Sequence, residues 1–189
     1  MTRSFADLKR DYLFPIFIYS TRLSVDLEDV RRDCLEYRRN CPGVQKSNLG
    51  GWQSPTLEEP LEEYSALRDV IDGCRQFYED VIVPEENLAT RHSSIAWWAN
   101  INKYNSSNAI HSHGGSLVTA VYYTDLPDPN AVLTLVRTDA HNAIYPPQQL
   151  VHQVVPEEGR LYLFPGHILH SVEPNLSERD RISVVTNLY

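Results

Sequence analysis

Cysteine is scarce in this sequence, with only Cys34, Cys41 and Cys74 among 189 residues. Three is an odd number, and no pair shows metal-type spacing, so these residues read as thiols in a reducing compartment rather than a disulfide framework. No apolar run approaches the length needed to cross a bilayer, so the sequence predicts no membrane partner. The opening residues, Met1-Thr-Arg-Ser-Phe-Ala-Asp-Leu-Lys-Arg10, carry frequent charge and no apolar stretch, which argues against a signal peptide and for a cytoplasmic location. Basic excess is missing too: 17 Lys and Arg face 25 Asp and Glu, a formal charge of −8. Without a basic stripe, nucleic acid is not an expected partner. Arg31, Arg32, Arg38 and Arg39 lie among acids, as on a solvated helix face.

What is present divides into helices first and strands later. The β-branched and aromatic run Tyr12–Tyr19 predicts an opening strand. Ser24 or Asp26 then offers an N-cap for a helix whose buried face is Leu27, Val30, Cys34 and Tyr37, ended by Cys41-Pro-Gly43. The polar, glycine-rich stretch Gln45–Pro55 reads as a surface loop pinned by Trp52, placed to act as a lid. A second helix is expected from Pro60, with acidic residues around its positive end. Its stripe is Leu61, Tyr64, Leu67, Ile71, Cys74, Tyr78 and Val81.

From Ser94 onward the spacing predicts strands over Ile95–Asn102, Leu117–Thr124, Val132–Arg137, Gly159–Phe164 and Arg181–Asn187, with proline-rich turns between them. This order indicates an α+β fold, a sandwich or barrel of strands buttressed by two N-terminal helices. There is no repeat or linker, so residues 1–189 are read as one domain. Helical support occupies about 20–90 and the strand core about 94–189. Exposed strand edges in such a barrel make a homodimer possible.

Histidine carries the chemistry. His111 and His113 flank one residue in Asn108-Ala-Ile-His-Ser-His-Gly-Gly-Ser116, a polar segment before a strand. On extended backbone, residues i and i+2 share a side, so both imidazoles can face one point, with Gly114 and Gly115 letting the chain bend around it. His170 lies far off in sequence at a turn-to-strand junction, with His167 three residues earlier as an alternative. Two neighbouring ligands and one distant ligand on a β scaffold make an open facial metal site. His92, His141, His152 and His167 read as surface histidines. Arg181 and Ser183 share one face of the last strand, where a guanidinium fork and a hydroxyl can reach a carboxylate beside the metal. The alternative for Arg181 is a surface ion pair with Glu178 or Asp180.

His-x-His, a Gly/Pro-closed strand, His170-Ser-Val-Glu-Pro174 and Arg181-Ile-Ser183 together resemble the 2-oxoglutarate and iron(II)-dependent oxygenases. The likeness is strongest to a branch of small oxygenases common in marine bacteria and bacteriophages. It rests also on Ser47-Asn-Leu-Gly-Gly-Trp-Gln-Ser54, Trp98-Ala-Asn-Ile-Asn102 and His111–Tyr123, and spans about Leu13 to Tyr189. The resemblance implies a double-stranded β-helix, a jelly-roll or cupin-like barrel with helices on its outer face. It implies iron(II) on His111, His113 and His170, with 2-oxoglutarate and O2 as co-substrates and the distal carboxylate of 2-oxoglutarate on Arg181 and Ser183. Asn102 and Tyr122 are grouped with that co-substrate site, and Trp97 and Tyr104 are expected in the pocket lining. The implied reaction is hydroxylation of a small molecule or peptide side chain, with release of succinate and CO2.

One position departs from the family pattern. The superfamily carries Asp or Glu where this chain has His113, so either three histidines bind, or a water or a carboxylate such as Asp125, Asp128 or Asp139 replaces His113. Two rivals follow: a three-histidine iron dioxygenase of the thiol-dioxygenase type that does not use 2-oxoglutarate, and a non-catalytic β-barrel binding or phage structural module.

Overall fold

A computed structural model describes residues 16–88, 94–137 and 150–189. The strands are β1 (Tyr19–Arg22), β2 (Asn48–Leu49), β3 (Trp52–Gln53), β4 (Ile95–Asn102), β5 (Ser107–His111), β6 (Val118–Asp125), β7 (Leu133–Val136), β8 (Val151–Val154), β9 (Arg160–Pro165), β10 (Leu169–Val172) and β11 (Arg181–Leu188). They form two sheets, ordered β1-β9-β6-β11-β4-β3 and β2-β5-β10-β7-β8. Every pairing is antiparallel. From β4 to β11 the chain crosses between the sheets six times, which winds eight strands into a double-stranded β-helix of four strands per wall.

The helices are α1 (Leu27–Asn40), α2 (Ser65–Phe77) and a short α3 (Val83–Glu85). Asp26, not Ser24, caps α1, its carboxylate accepting from the Glu28 and Asp29 amides at 2.9 and 3.2 Å. The second helix starts five residues later than the sequence predicts. Its N-terminal amides find their acceptor across the interface instead of locally, as Ala66 N and Leu67 N donate to the buried Asp33 carboxylate on α1 at 2.9 and 3.3 Å. A π-helical turn over Tyr78–Ile82 follows α2. The added residue rotates the buried face, so Ile82 and Val83 are buried where Val81 was expected.

Both helices cover the outer face of the larger sheet. One core joins Val30, Cys34, Leu67, Val70, Ile71 and Cys74 to Trp97, Ala99, Ala120, Tyr122, Leu163 and Val184. A second core, inside the barrel, holds Trp98, Val121, Tyr123, Leu133, Leu135, Phe164 and Val185. Strands β4 and β6 are therefore buried on both faces throughout, and their sequences lose the alternation of a half-exposed strand.

The opening strand pairs with β9 over Tyr19–Arg22, overlapping the predicted run only at Tyr19; residues 12–15 of that run lie outside the described residues. Gln45–Pro55 is not a free lid. Strand β2 pairs with β5 in one sheet, β3 pairs with β4 in the other, and Trp52 Nε1 donates to Cys41 O at 3.0 Å. Backbone hydrogen bonding in both sheets fixes this segment as a strap between them. Strands β5 and β8 also lie where no strand was expected, and β10 takes up the turn-to-strand junction read at His170. Among the described residues, no helix is long and apolar enough to cross a membrane.

Candidate active site

The three singled-out histidines come together. His111 ends β5 and His170 lies on β10, directly opposite it in the antiparallel register. His113 follows two residues on, and its amide donates to Gly166 O at 2.8 Å. The close approach that needs a glycine is at Gly166, where a Cβ would overlap Ser116 Oγ and crowd the Ser116 and His113 carbonyls. Gly114 and Gly115 are uncrowded, and Gly115 serves the turn through its φ of +100°. One nitrogen from each of the three rings lies within 4.8 Å of the others. His113 Nε2 and His170 Nε2 are 3.1 Å apart, about the separation of two cis ligands each roughly 2.1 Å from one metal.

Neighbours fix the rings. His111 Nδ1 faces Ala109 O at 2.7 Å and His170 Nδ1 faces Ile168 O at 3.0 Å. A carbonyl only accepts, so both Nδ1 atoms carry protons and both Nε2 lone pairs are free to ligate. Trp98 lies over His113 with ring centroids 5.2 Å apart, and Phe164 meets His170 edge-on at 5.0 Å. Burial lowers all three pKa values, most strongly to about 3 for His113, where the neighbouring histidines add to the effect, and to about 4 for His170. At neutral pH the three rings are uncharged, as metal ligation requires.

Below them lies a largely enclosed cavity walled by both sheets, with Trp98, Asn100, Tyr123, Leu133, Arg181 and Ser183 among its lining. Arg181 is 2% exposed. Its Nη1 donates to Glu173 O at 2.8 Å, while the buried Nη2 has no hydrogen-bond partner among the described residues. The buried Tyr123 hydroxyl is likewise unpartnered. A surface ion pair is ruled out for Arg181: Asp180 pairs with Arg38 instead, at 3.1 Å. A buried cation with an open donor in a cavity shared with a serine and a tyrosine hydroxyl has the chemistry to accept a carboxylate.

Residues 96–187 match the family described as "Putative 2OG-Fe(II) oxygenase". The match spans just under half of the chain, and over this segment the chain is similar to the 2-oxoglutarate and iron(II)-dependent oxygenases. No curated protein matches the sequence. Among solved structures, a prolyl-4-hydroxylase from Pseudomonas putida is 16% identical, with 90% of this chain and 91% of that one covered and a TM-score of 0.63. A prolyl hydroxylase from Trichoplax adhaerens, solved with a hypoxia-inducible-factor peptide fragment, is 14% identical, covering 91% and 83% at a TM-score of 0.63. HygX from Streptomyces hygroscopicus, solved with nickel and 2-oxoglutarate, is 13% identical, covering 90% and 82% at 0.58. At these identities the likeness is one of fold, and it is the double-stranded β-helix.

The structure corrects several sequence expectations. Tyr122 faces the helices and is fully buried beside Cys74; its neighbour Tyr123 faces the cavity. Trp97 is turned outward too, donating through Nε1 to Glu59 O at 2.9 Å, and Trp98 takes the inward place. Tyr104 is 54% exposed and off the cavity. Asn102 does not border the cavity, but its Nδ2 donates to Asn108 Oδ1 at 2.8 Å, and Asn108 does. Asp125 is held by Arg31 and Arg179 at 3.1 and 3.5 Å, and Asp128 accepts from the Asn130 and Leu176 amides, so neither carboxylate joins the histidines. His167 and His152 are exposed, whereas His92, His141 and Asp139 lie outside the described residues.

The inward residues missed from sequence had a usable signal in Ser183. In the antiparallel register Ser183 pairs with Asn100 on one side and Tyr123 on the other, so all three face the cavity together. On the solvent side of the histidines an open groove runs past Lys46, Gln53, Thr56, Trp98, Ile110 and Tyr189.

Proposed function

We propose that His111, His113 and His170 hold ferrous iron, that Arg181, Ser183 and Tyr123 bind the distal carboxylate of 2-oxoglutarate, and that the enzyme hydroxylates an organic substrate seated in the outer groove. Bound iron supplies the redox chemistry. Decarboxylation of 2-oxoglutarate to succinate and CO2 uses one atom of O2, and the other enters a C–H bond of the substrate. The chain contributes geometry. Three neutral imidazoles, two on the paired strands β5 and β10 and one two residues beyond β5, would hold the iron. Arg181 neutralises the co-substrate in a buried place, while Trp98, Leu133, Val172 and Val185 exclude water around it. The groove above His111 and His113 is open enough for a small molecule or a peptide side chain.

The observation that carries this reading is the unpartnered, buried Nη2 of Arg181 in the lining of the same cavity that the three histidines border. A three-histidine dioxygenase working without 2-oxoglutarate would leave that guanidinium nitrogen and the Tyr123 hydroxyl buried and unsatisfied.

The test is anaerobic titration of the protein with iron(II) and then 2-oxoglutarate, following the visible charge-transfer band of the chelate and, after oxygen is admitted, succinate. A saturable band and succinate formation support the reading. Iron binding with neither result sinks it in favour of the site that does without 2-oxoglutarate.

A further inference from the structure

Behind His113 lies a short relay of polar groups. The side-chain amide of Asn187, buried on β11, approaches His113 Nδ1 through Nδ2 at 3.3 Å. Its Oδ1 accepts from the buried Thr119 hydroxyl on β6 at 3.0 Å. Thr119 Oγ1 in turn lies 3.5 Å from Ser116 Oγ, which donates to His113 O at 2.9 Å. His111 and His170 have no such choice, because each Nδ1 faces a carbonyl that only accepts.

His113 alone faces a group that can either donate or accept. If Asn187 donates to Nδ1, the ring proton sits on Nε2, where it points at the Nε2 lone pair of His170 3.1 Å away. In that setting His113 cannot ligate. If the amide turns over and presents Oδ1, Nδ1 carries the proton and Nε2 is free for a metal. Thr119 permits both settings, since its hydroxyl donates to an oxygen and accepts from an N–H equally well. One proton leaves Nε2 and one is taken at Nδ1, so the net charge of the ring is unchanged.

We propose that Asn187, held by Thr119, is a positioning residue that selects the tautomer of His113 and so decides whether the third histidine ligates. This rests on the reading of His113 as a ligand. It explains how an imidazole can stand where the family carries a carboxylate: a carboxylate needs no tautomer set, and this imidazole does. Groups that orient a metal ligand typically change metal affinity tenfold to a hundredfold when lost.

The experiment is cobalt(II) titration of the full chain, read by calorimetry and by visible d–d absorption, with ring 15N shifts of the zinc-loaded protein reporting the tautomer. Asn187→Leu is expected to weaken cobalt binding at least tenfold. Asn187→Asp, whose carboxylate can only accept, is expected to bind as tightly as wild type or tighter and to fix the proton on Nδ1. In a His113→Ala background, Asn187→Leu should change affinity less than twofold. An equal loss in that background, or no loss in the parent, overturns the proposal. If His113→Ala itself binds cobalt like wild type, the ligand assignment fails first and the positioning role with it. If His113→Ala weakens binding but Asn187→Leu does not, only the positioning role fails.

Discussion

Arg181→Met tests the proposed co-substrate site most directly. The substitution keeps a long apolar stem and removes the charge. In the protein without ligand, the loss is one hydrogen bond to Glu173 O. That carbonyl belongs to an exposed residue and can take water instead. Burial already lowers the pKa of this guanidinium, a sign that its charge is held at a cost. The expected loss of stability is therefore small, about 1 kcal/mol. With 2-oxoglutarate the balance reverses, because its distal carboxylate would be buried without a partner. Truncating one side of a buried charged pair costs about 3–5 kcal/mol, a loss of affinity from roughly 100-fold to several thousand-fold. Calorimetric titration of the manganese-loaded protein with 2-oxoglutarate, without oxygen, gives the number. Arg181→Lys should fall between the two, since an ammonium keeps the charge but not the fork. Metal affinity should stay within twofold in both variants. Co-substrate binding by Arg181→Met within threefold of wild type would refute the assignment.

Three further outcomes follow from the structure. Tyr123→Phe should raise the 2-oxoglutarate requirement about tenfold, whereas Tyr122→Phe should leave it unchanged; equal effects in the same titration would contradict the facing of β6. Stability should fall with acid. His113 and His170 have folded pKa values of about 3 and about 4 against 6.5 for a free imidazole, so below pH 6.5 the unfolded chain binds more protons. The slope approaches about 1.4 kcal/mol per pH unit for each ring until its folded pKa is reached. Urea melts between pH 7 and 4.5 on wild type and His113→Ala should show the shallower slope in the variant. Asp33→Ala removes the acceptor at the start of α2 and should cost about 1–2 kcal/mol in urea midpoint; a loss below 0.3 kcal/mol would mean that water caps those amides.

The sequence alone determined the order of the fold and the chemical kinds of group at the site. Helical spacing marked α1 and α2, and the long strands β4, β6, β9 and β11 were legible because each is a sustained β-branched and aromatic run. His-x-His and the Arg181–Ser183 pair could be read because period-two geometry is local: whatever the partner strand, those side chains share a side.

What the sequence could not give was which side faced what. Strands β4 and β6 are buried on both faces, one against helices and one inside the barrel, so Trp97 and Trp98, or Tyr122 and Tyr123, are indistinguishable by hydrophobicity. Only the pairing of β11 between β4 and β6 decided that Trp98 and Tyr123 belong to the cavity. A short strand such as β5 draws its stability from register with neighbours rather than from propensity, which left the strand character of His111 to the tertiary structure. The start of α2 was set in the same way, by a carboxylate 33 residues earlier in the chain. Asn187 carried no local signal at all. Its link to His113 spans 74 residues and exists only because β11 and β6 run side by side in the larger sheet.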